Sequence, residues 1–339
     1  MFGFRSQAHC GTKPCQGDDG GLHSEADTGS SFHPPHLLHY VVMKIAITGT
    51  GGRVGRSIHF SLCQEHDVVG IDRTISSATT HLGEINDYKF LIQAFRGADA
   101  VVHTAALHAP HVGVHDDREF FRINVEGKKI VFRAAADCGV QSLVFTSTTA
   151  LYGHASRHPE RATWINESTI PAPKSVYHRT KLEAENYLEA EAVPNLKVTT
   201  LRMSRCFPEP APLMAVYRLH RGVDARDVAE GHRLALINPG ETYRMFILSG
   251  ATPFKRADCK ALKRTPDTVL RQRCPSICRL FESRQWKFPD SIDRVYDSTL
   301  AKRVLGWEPS FGFEEVARLL DAQIPEVLPV QAAKTVIPE

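Results

Sequence analysis

The sequence predicts an α/β fold, a doubly wound parallel sheet followed by a small C-terminal lobe. Two observations carry this: short apolar runs alternate with segments of helical spacing from Met43 onward, and a glycine-rich turn follows the first run. Strands separated by helices of roughly ten or more residues imply right-handed crossovers and a sheet covered on both faces.

In chain order, Lys44–Thr48 reads as the first strand and Val54–Cys63 as the first helix. His66–Asp72 is a second strand, ending in an acid. Tyr88–Arg96 reads as a helix, Ala100–Thr104 as a strand, and Phe120–Cys138 as a helix with Ile123, Ile130, Val131 and Ala134 on its apolar side. Ser142–Thr146 is a strand, Tyr177–Glu191 a helix and Leu196–Met203 a strand. Val223–Leu236 and Asp258–Arg273 read as helices, and Thr242–Ser249 as a late strand of the sheet. Prolines 208, 210, 212, 253, 275 and 289 cut this last third into short pieces. The expected organisation is an extension over 1–42, a dinucleotide-binding part over 43–205, a mixed region with a substrate lobe over 206–330, and a tail over 331–339.

Composition narrows the function. The 339 residues carry 41 Lys plus Arg against 38 Asp plus Glu, a net charge of +3, too weak to imply a nucleic-acid or membrane partner. The basic residues of 255–273 lack the interleaved aromatics of a nucleic-acid surface. No apolar run reaches the roughly 18 residues a membrane span needs, and Met1–Ser30 lacks a signal-peptide core. Eight scattered cysteines read as reduced thiols, so the protein is expected to be cytoplasmic. Cys274 and Cys278 share a helix face without two further zinc ligands. Histidines 9, 23, 33, 36 and 39 belong to a polar N-terminal tail. No metal site is expected; His108, His111 and His115, with Asp116 and Asp117, read as loop polarity or substrate contact.

Thr48-Gly-Thr-Gly-Gly-Arg-Val-Gly55 joins the first strand to the first helix. Gly49 allows the tight turn, Gly52 lets a pyrophosphate approach the backbone, and Gly55 lets helix and sheet pack closely, with Arg53 and Val54 at the helix start. Asp72, about twenty residues on, is placed to accept from ribose hydroxyls and to repel a 2′-phosphate, which favours NAD. Arg53 and Arg73 flank the same place and would attract that phosphate, so NADP stays open. Gly83, Glu84 and Ile85 follow the second strand and would line the adenine.

Tyr177 and Lys181, four apart, share one helix face. A phenol of pKa about 10 is a poor base at neutral pH. An adjacent ammonium would lower it, allowing the phenol to exchange a proton with a secondary alcohol. Thr148, behind the preceding strand, would hold the reacting oxygen.

These motifs, with His103-Thr-Ala-Ala106, Asn124-Val125, Thr146-Ser-Thr-Thr-Ala-Leu-Tyr-Gly153 and Leu201-Arg202, occur in an order that resembles the NAD-dependent epimerase/dehydratase family, the extended short-chain dehydrogenase/reductases. Val295–Lys302 and Leu305-Gly-Trp-Glu-Pro309 resemble the family's C-terminal signature, so the likeness spans about 43–320. It implies a Rossmann-like fold with NAD, and Thr148, Tyr177 and Lys181 as catalytic residues. It also implies that Thr104, Ala105, Ala106, Asn124 and Thr146 border the cofactor or position the site, and that the chain forms a homodimer.

Two departures concern the substrate. Arg205 stands where nucleotide-sugar enzymes carry Asn, and only about twenty residues separate Met203 from Asp224. Cys206-Phe-Pro-Glu-Pro210 is similar to that of uronate dehydrogenases, but Met214 or its neighbours replace their arginine, leaving Arg218 or Arg221 to substitute. His108, Thr148, Arg205 and Arg218 are the expected contacts to a small, sugar-like substrate. The reading is an oxidoreductase acting on a secondary alcohol or ketone. A nucleotide-sugar epimerase or dehydratase is the alternative, and a non-catalytic NAD-sensing regulator ranks below both. Trp307 and Phe311 are expected to pack the C-terminal lobe.

Overall fold

A computed structural model describes residues 42–329; the expected N-terminal extension with its histidines, and the tail beyond 330, lie outside them. Among the described residues there are nine strands: β1 (Lys44–Thr48), β2 (Asp67–Asp72), β3 (His81–Leu82), β4 (Ala100–His103), β5 (Ser142–Thr148), β6 (Thr163–Ile165), β7 (Lys197–Met203), β8 (Tyr243–Leu248) and β9 (Arg294–Tyr296). The helices are α1 (Arg53–Leu62), α2 (Tyr88–Ala94), α3 (Asp117–Phe121), α4 (Lys128–Asp137), α5 (Val176–Glu191), α6 (Ala211–Tyr217), α7 (Ala225–Ile237), α8 (Cys259–Arg264), α9 (Pro266–Arg273), α10 (Pro275–Ser283), α11 (Thr299–Leu305) and α12 (Phe313–Asp321).

Seven strands form one sheet in the order β3-β2-β1-β4-β5-β7-β8, parallel throughout. The chain winds outward from β1 in one direction, then returns to β4 on its other side. Thr48 is level with Ile71 on β2 and His103 on β4, so three strand ends open together at this reversal, where doubly wound sheets form a crevice. Alternation along β1 sorts the core. Ala46 joins Val101, Leu143, Val131, Ala134 and Leu188 on one face, while Ile45 and Ile47 join Val102, Val144, Ile58, Leu62 and Val228 on the other.

A third apolar cluster belongs to the lobe: Met214, Leu262, Val269, Leu270, Ile277, Phe281, Val295, Phe313 and Val316. Ala162 joins it because the excursion after β5 adds β6 alongside β9. Cys274 and Cys278 are buried there as free thiols. Trp307 departs from expectation: it packs on the α1/α7 side of the main sheet, and its indole N–H donates to the Asp227 carbonyl at 2.8 Å. Phe311 instead lies under the Arg226 guanidinium, 3.6 Å from its ring centre.

Local signals explain the remaining differences. The segment read as one helix over Asp258–Arg273 breaks at Thr265, which is driven out of the helical region before Pro266. Pro275 opens α10 in the same way. The segment read as Phe120–Cys138 begins earlier, because the Asp116 carboxylate caps α3 by accepting from the Glu119 N–H at 2.8 Å. It then widens into a π turn over Arg122–Gly127 before α4. β3, β6 and β9 hold only two or three residues, too few for a period to show. Among the described residues no helix is long and apolar enough to cross a membrane.

Trp307 is 1 % exposed. Trp307→Ala is expected to lower unfolding stability by about 3–5 kcal/mol in urea denaturation, with Trp307→Phe costing less.

Candidate active site

The glycine turn is built by steric necessity at two positions. Gly49 has φ +83°, and a Cβ there would lie 2.5 Å from Thr104 Oγ1 and 2.6 Å from the Ala105 nitrogen. A Cβ on Gly55 would lie 2.1 Å from the Gly49 carbonyl oxygen, so Gly55 seats α1 on the turn itself as well as against the end of β4. Thr104 secures this junction by donating from Oγ1 to the Thr48 carbonyl at 2.7 Å. Gly52 differs: a Cβ there meets only Gly49 O, at 3.3 Å, and no side chain caps the helix it begins. Its small size therefore leaves the start of α1 open toward the cleft.

Asp72 braces the same turn. Its Oδ2 accepts from the Gly51 N–H at 2.8 Å, and its Oδ1 accepts from Thr74 N at 2.9 Å and Thr74 Oγ1 at 2.8 Å. A carboxylate offers about four lone-pair sites, so one on Oδ2 is left for a further donor. Arg53 forms an ion pair with Glu326, while its buried Nε–H has no protein acceptor.

From this turn a cleft of about 400 Å³ runs to the N-terminal end of α5. It is lined by Gly49, Gly52, Arg53, Val54, Gly55 and Asp72, then by Glu84, Ile85, Thr104, Ala105 and Ala106, and finally by His108, Thr146, Thr148, Tyr177, Lys181 and Arg205.

Ser175 caps α5 by accepting from the His178 N–H at 3.3 Å, which sets Tyr177 in the first turn and Lys181 in the second. The Tyr177 phenol and the Thr148 side chain line the same end of the cleft, and Thr148 Oγ1 accepts from the Ala150 N–H at 3.0 Å. Burial pushes the phenol up to about 12, against a smaller pull from Thr148. The expected lowering by Lys181 is therefore not what the protein alone produces. The Lys181 ammonium donates instead to the Thr146 carbonyl at 2.6 Å and sits 4.1 Å from the centre of the Phe145 ring. Burial pushes this amine down to about 7, opposed by the Glu185 carboxylate. Thr146 is held from its other side by His232: Nδ1–H must donate to the Val228 carbonyl at 2.7 Å, so Nε2 accepts from Thr146 Oγ1 at 2.7 Å.

Two expected contacts lie outside the cleft wall. Asn124, 2 % exposed in the π turn, holds Leu107 at both ends: Oδ1 accepts from its N–H at 2.8 Å, and Nδ2 donates to its carbonyl at 2.9 Å. Nδ2 also donates to Thr180 Oγ1 at 3.1 Å, so Asn124 ties the loop after β4 to α5. Arg218 is buried against Asp224 at 2.9 Å and is committed to that pair. Arg205 does line the cleft, paired with Glu209. The His108 ring stacks on Phe207 with centres 5.6 Å apart, and burial pushes it down to about 4.

Sequence reading did not single out Lys174, His178, Phe207, Arg294 or Tyr296, all of which line the end near Tyr177. Arg221, its second candidate beside Arg218, also does so. Arg294 stands on a three-residue strand far along the chain, and no local pattern marks it.

Residues 45–247 match the model of the NAD dependent epimerase/dehydratase family. A UDP-glucose 4-epimerase of Lacticaseibacillus casei is 30 % identical over 172 residues, 47 % of this chain and 50 % of that enzyme. One from Streptomyces lividans is 24 % identical over 314 residues, covering 79 % of this chain and 92 % of that enzyme. The L-arabinose 1-dehydrogenase (NAD(P)(+)) of Haloferax volcanii is 32 % identical over 151 residues, 42 % of this chain and 58 % of that enzyme. The fold is shared with UDP-glucose-4-epimerase from Stenotrophomonas maltophila, solved with NAD and formylated UDP-arabinopyranose (TM-score 0.62, 20 % identity, covering 81 % of this chain and 96 % of that one).

Gly55→Ala, which drives a Cβ into backbone, is expected to lower the melting temperature by several degrees. Gly52→Ala should leave it within about a degree, as measured by calorimetry.

Proposed function

Because the chain belongs to the NAD-dependent epimerase/dehydratase family, we propose that it is an NAD-dependent oxidoreductase acting on a secondary alcohol or ketone of a small, sugar-like substrate. One observation carries the reading. The Tyr177 phenol and the Lys181 ammonium share one face of α5, with Thr148 on the same wall, at the far end of a cleft that starts on an uncapped glycine turn.

The residues fit the dinucleotide. The first amides of α1 beyond Gly52, which no side chain caps, and the unpartnered Arg53 Nε–H suit its diphosphate, and the remaining site on Asp72 suits a ribose hydroxyl. Charge on Asp72 disfavours a 2′-phosphate, although Arg73 on the same wall keeps NADP as a weaker ligand. When bound, NAD supplies the acceptor for hydride. Tyr177 takes the proton of the substrate hydroxyl at its phenolic oxygen, and Thr148 Oγ1 orients that hydroxyl. A phenol held near 12 is almost entirely protonated at neutral pH, so the Lys181 ammonium is needed to favour the phenolate. Asn124 keeps the loop carrying His108 in register with α5.

Residues 43–205 are assigned to the cofactor, and 206–330, a mixed region that also returns β8 to the main sheet, to the substrate lobe. Lys174, Arg205, Arg221 and Arg294 at the Tyr177 end favour a substrate bearing an anionic group. Net oxidoreduction is preferred because only α6 and its flanking turns fill the chain between β7 and α7, which leaves little to grip a nucleotide. The epimerase reading is favoured by the Streptomyces enzyme, matched over nearly its whole length. The family resemblance also supports a cytoplasmic homodimer.

A panel of sugars, sugar acids and alcohols offered with NAD is expected to yield NADH, followed by absorbance. UDP-sugar epimerisation with no response to the panel would overturn the preference. Tyr177→Phe should lower kcat roughly 10²–10⁴-fold while NADH binding, followed by fluorescence, stays nearly unchanged.

A further inference from the structure

The face of α5 that carries Tyr177 and Lys181 continues one turn further to Glu185. This carboxylate is 2 % exposed, and Arg202 on β7 holds both its oxygens, with Nε 3.2 Å from Oε1 and 3.0 Å from Oε2 and Nη2 2.5 Å from Oε2. The Ser147 hydroxyl donates to Oε1. Ser147 stands between Thr146, whose carbonyl accepts from Lys181, and Thr148, which lines the cleft with the phenol. Arg202 in turn donates from Nη1 to the Tyr152 hydroxyl at 2.9 Å, and that hydroxyl donates to the Asn166 carbonyl at 3.1 Å.

A buried pair of this kind is weak evidence for stability, because desolvation offsets much of the attraction. Its charge, however, reaches the site. The groups around Lys181 are Tyr177 and Glu185 on α5, His103 on β4, His108 in the loop after it, and Lys128 on α4. Burial holds both histidines neutral at neutral pH, down to about 3 and about 4. It also pushes Lys128, which has no hydrogen-bond partner, down to about 6. Among the described residues Glu185 is thus the anion that acts on Lys181.

We propose that Glu185, clamped by Arg202 and Ser147, is a positioning residue that keeps Lys181 in its ammonium form and holds the Thr146–Thr148 segment against it. The proposal rests on the reading of Tyr177 and Lys181 as the proton-handling pair.

Lys181 can be titrated without turnover. The full-length protein is acetylated with acetic anhydride across a pH series, and the Lys181 peptide is quantified by mass spectrometry, since only the neutral amine reacts. The half-reaction pH is expected near 7 in the unsubstituted protein. It should fall by at least one unit, a tenfold change in ionisation, in Glu185→Gln, and return most of the way in Glu185→Asp. Should Glu185→Gln not fold, Glu185→Gln/Arg202→Met removes both buried charges together, and a smaller fall in the same direction is expected, because the opposing cation goes with the anion. Turnover of the variant should lose its alkaline limb at correspondingly lower pH. An unchanged Lys181 midpoint in a folded variant, or a lower midpoint with an unmoved pH profile, overturns the proposal. Failure of the reading beneath it shows separately, as undiminished turnover by Tyr177→Phe.

Discussion

The hydrogen bond from the Lys181 ammonium to the Thr146 carbonyl is the contact on which the rest of the site depends. It fastens α5 to the C-terminal end of β5, and it determines where the phenol one turn earlier in the helix can reach. A lysine 3 % exposed is costly unless its charge is shared, and here a carbonyl, an aromatic face and a carboxylate one turn on share it. Thr146 is itself pinned by His232 from α7, on the opposite side of the sheet. Helices from both layers therefore meet at a single strand end.

The other half of the cleft follows from the order of strands. Where the chain reverses direction between β1 and β4, no crossover covers the strand ends, and the glycine turn fills that opening with backbone. Gly49 and Gly55 lack side chains because the turn, β4 and α1 already occupy the space. Gly52 lacks one for a different reason, since the space beside it is open. The same motif thus serves packing at two positions and access at a third.

The end of the cleft near Tyr177 is composite. Arg205 and Arg221 come from the connection between β7 and α7, Arg294 from β9, and Lys174 from the loop before α5. These segments meet because β6, in an excursion from the main sheet, pairs with β9 of the lobe. The positive charge of this end is consequently a property of the assembled fold, tempered by Glu209 beside Arg205 and Asp293 beside Arg294.

What the amino-acid sequence determined was whatever is written locally: the alternation of strand and helix, the glycine turn with Asp72 behind it, and the four-residue spacing of Tyr177 and Lys181. Period and spacing survive folding because a strand or helix converts them directly into faces. The tertiary structure alone decided the rest. Arg218, as basic and as well placed in the chain as Arg221, is consumed by Asp224, while Arg294 enters the cleft from a strand too short to announce itself. Asn124 turned out to hold the loop after β4, and Trp307 packed against the sheet, because partners far apart in the chain compete for each side chain. The phenol's acidity was likewise beyond the motif: burial, a property of everything packed around Tyr177, raises its pKa, and the pull against it comes from Thr148.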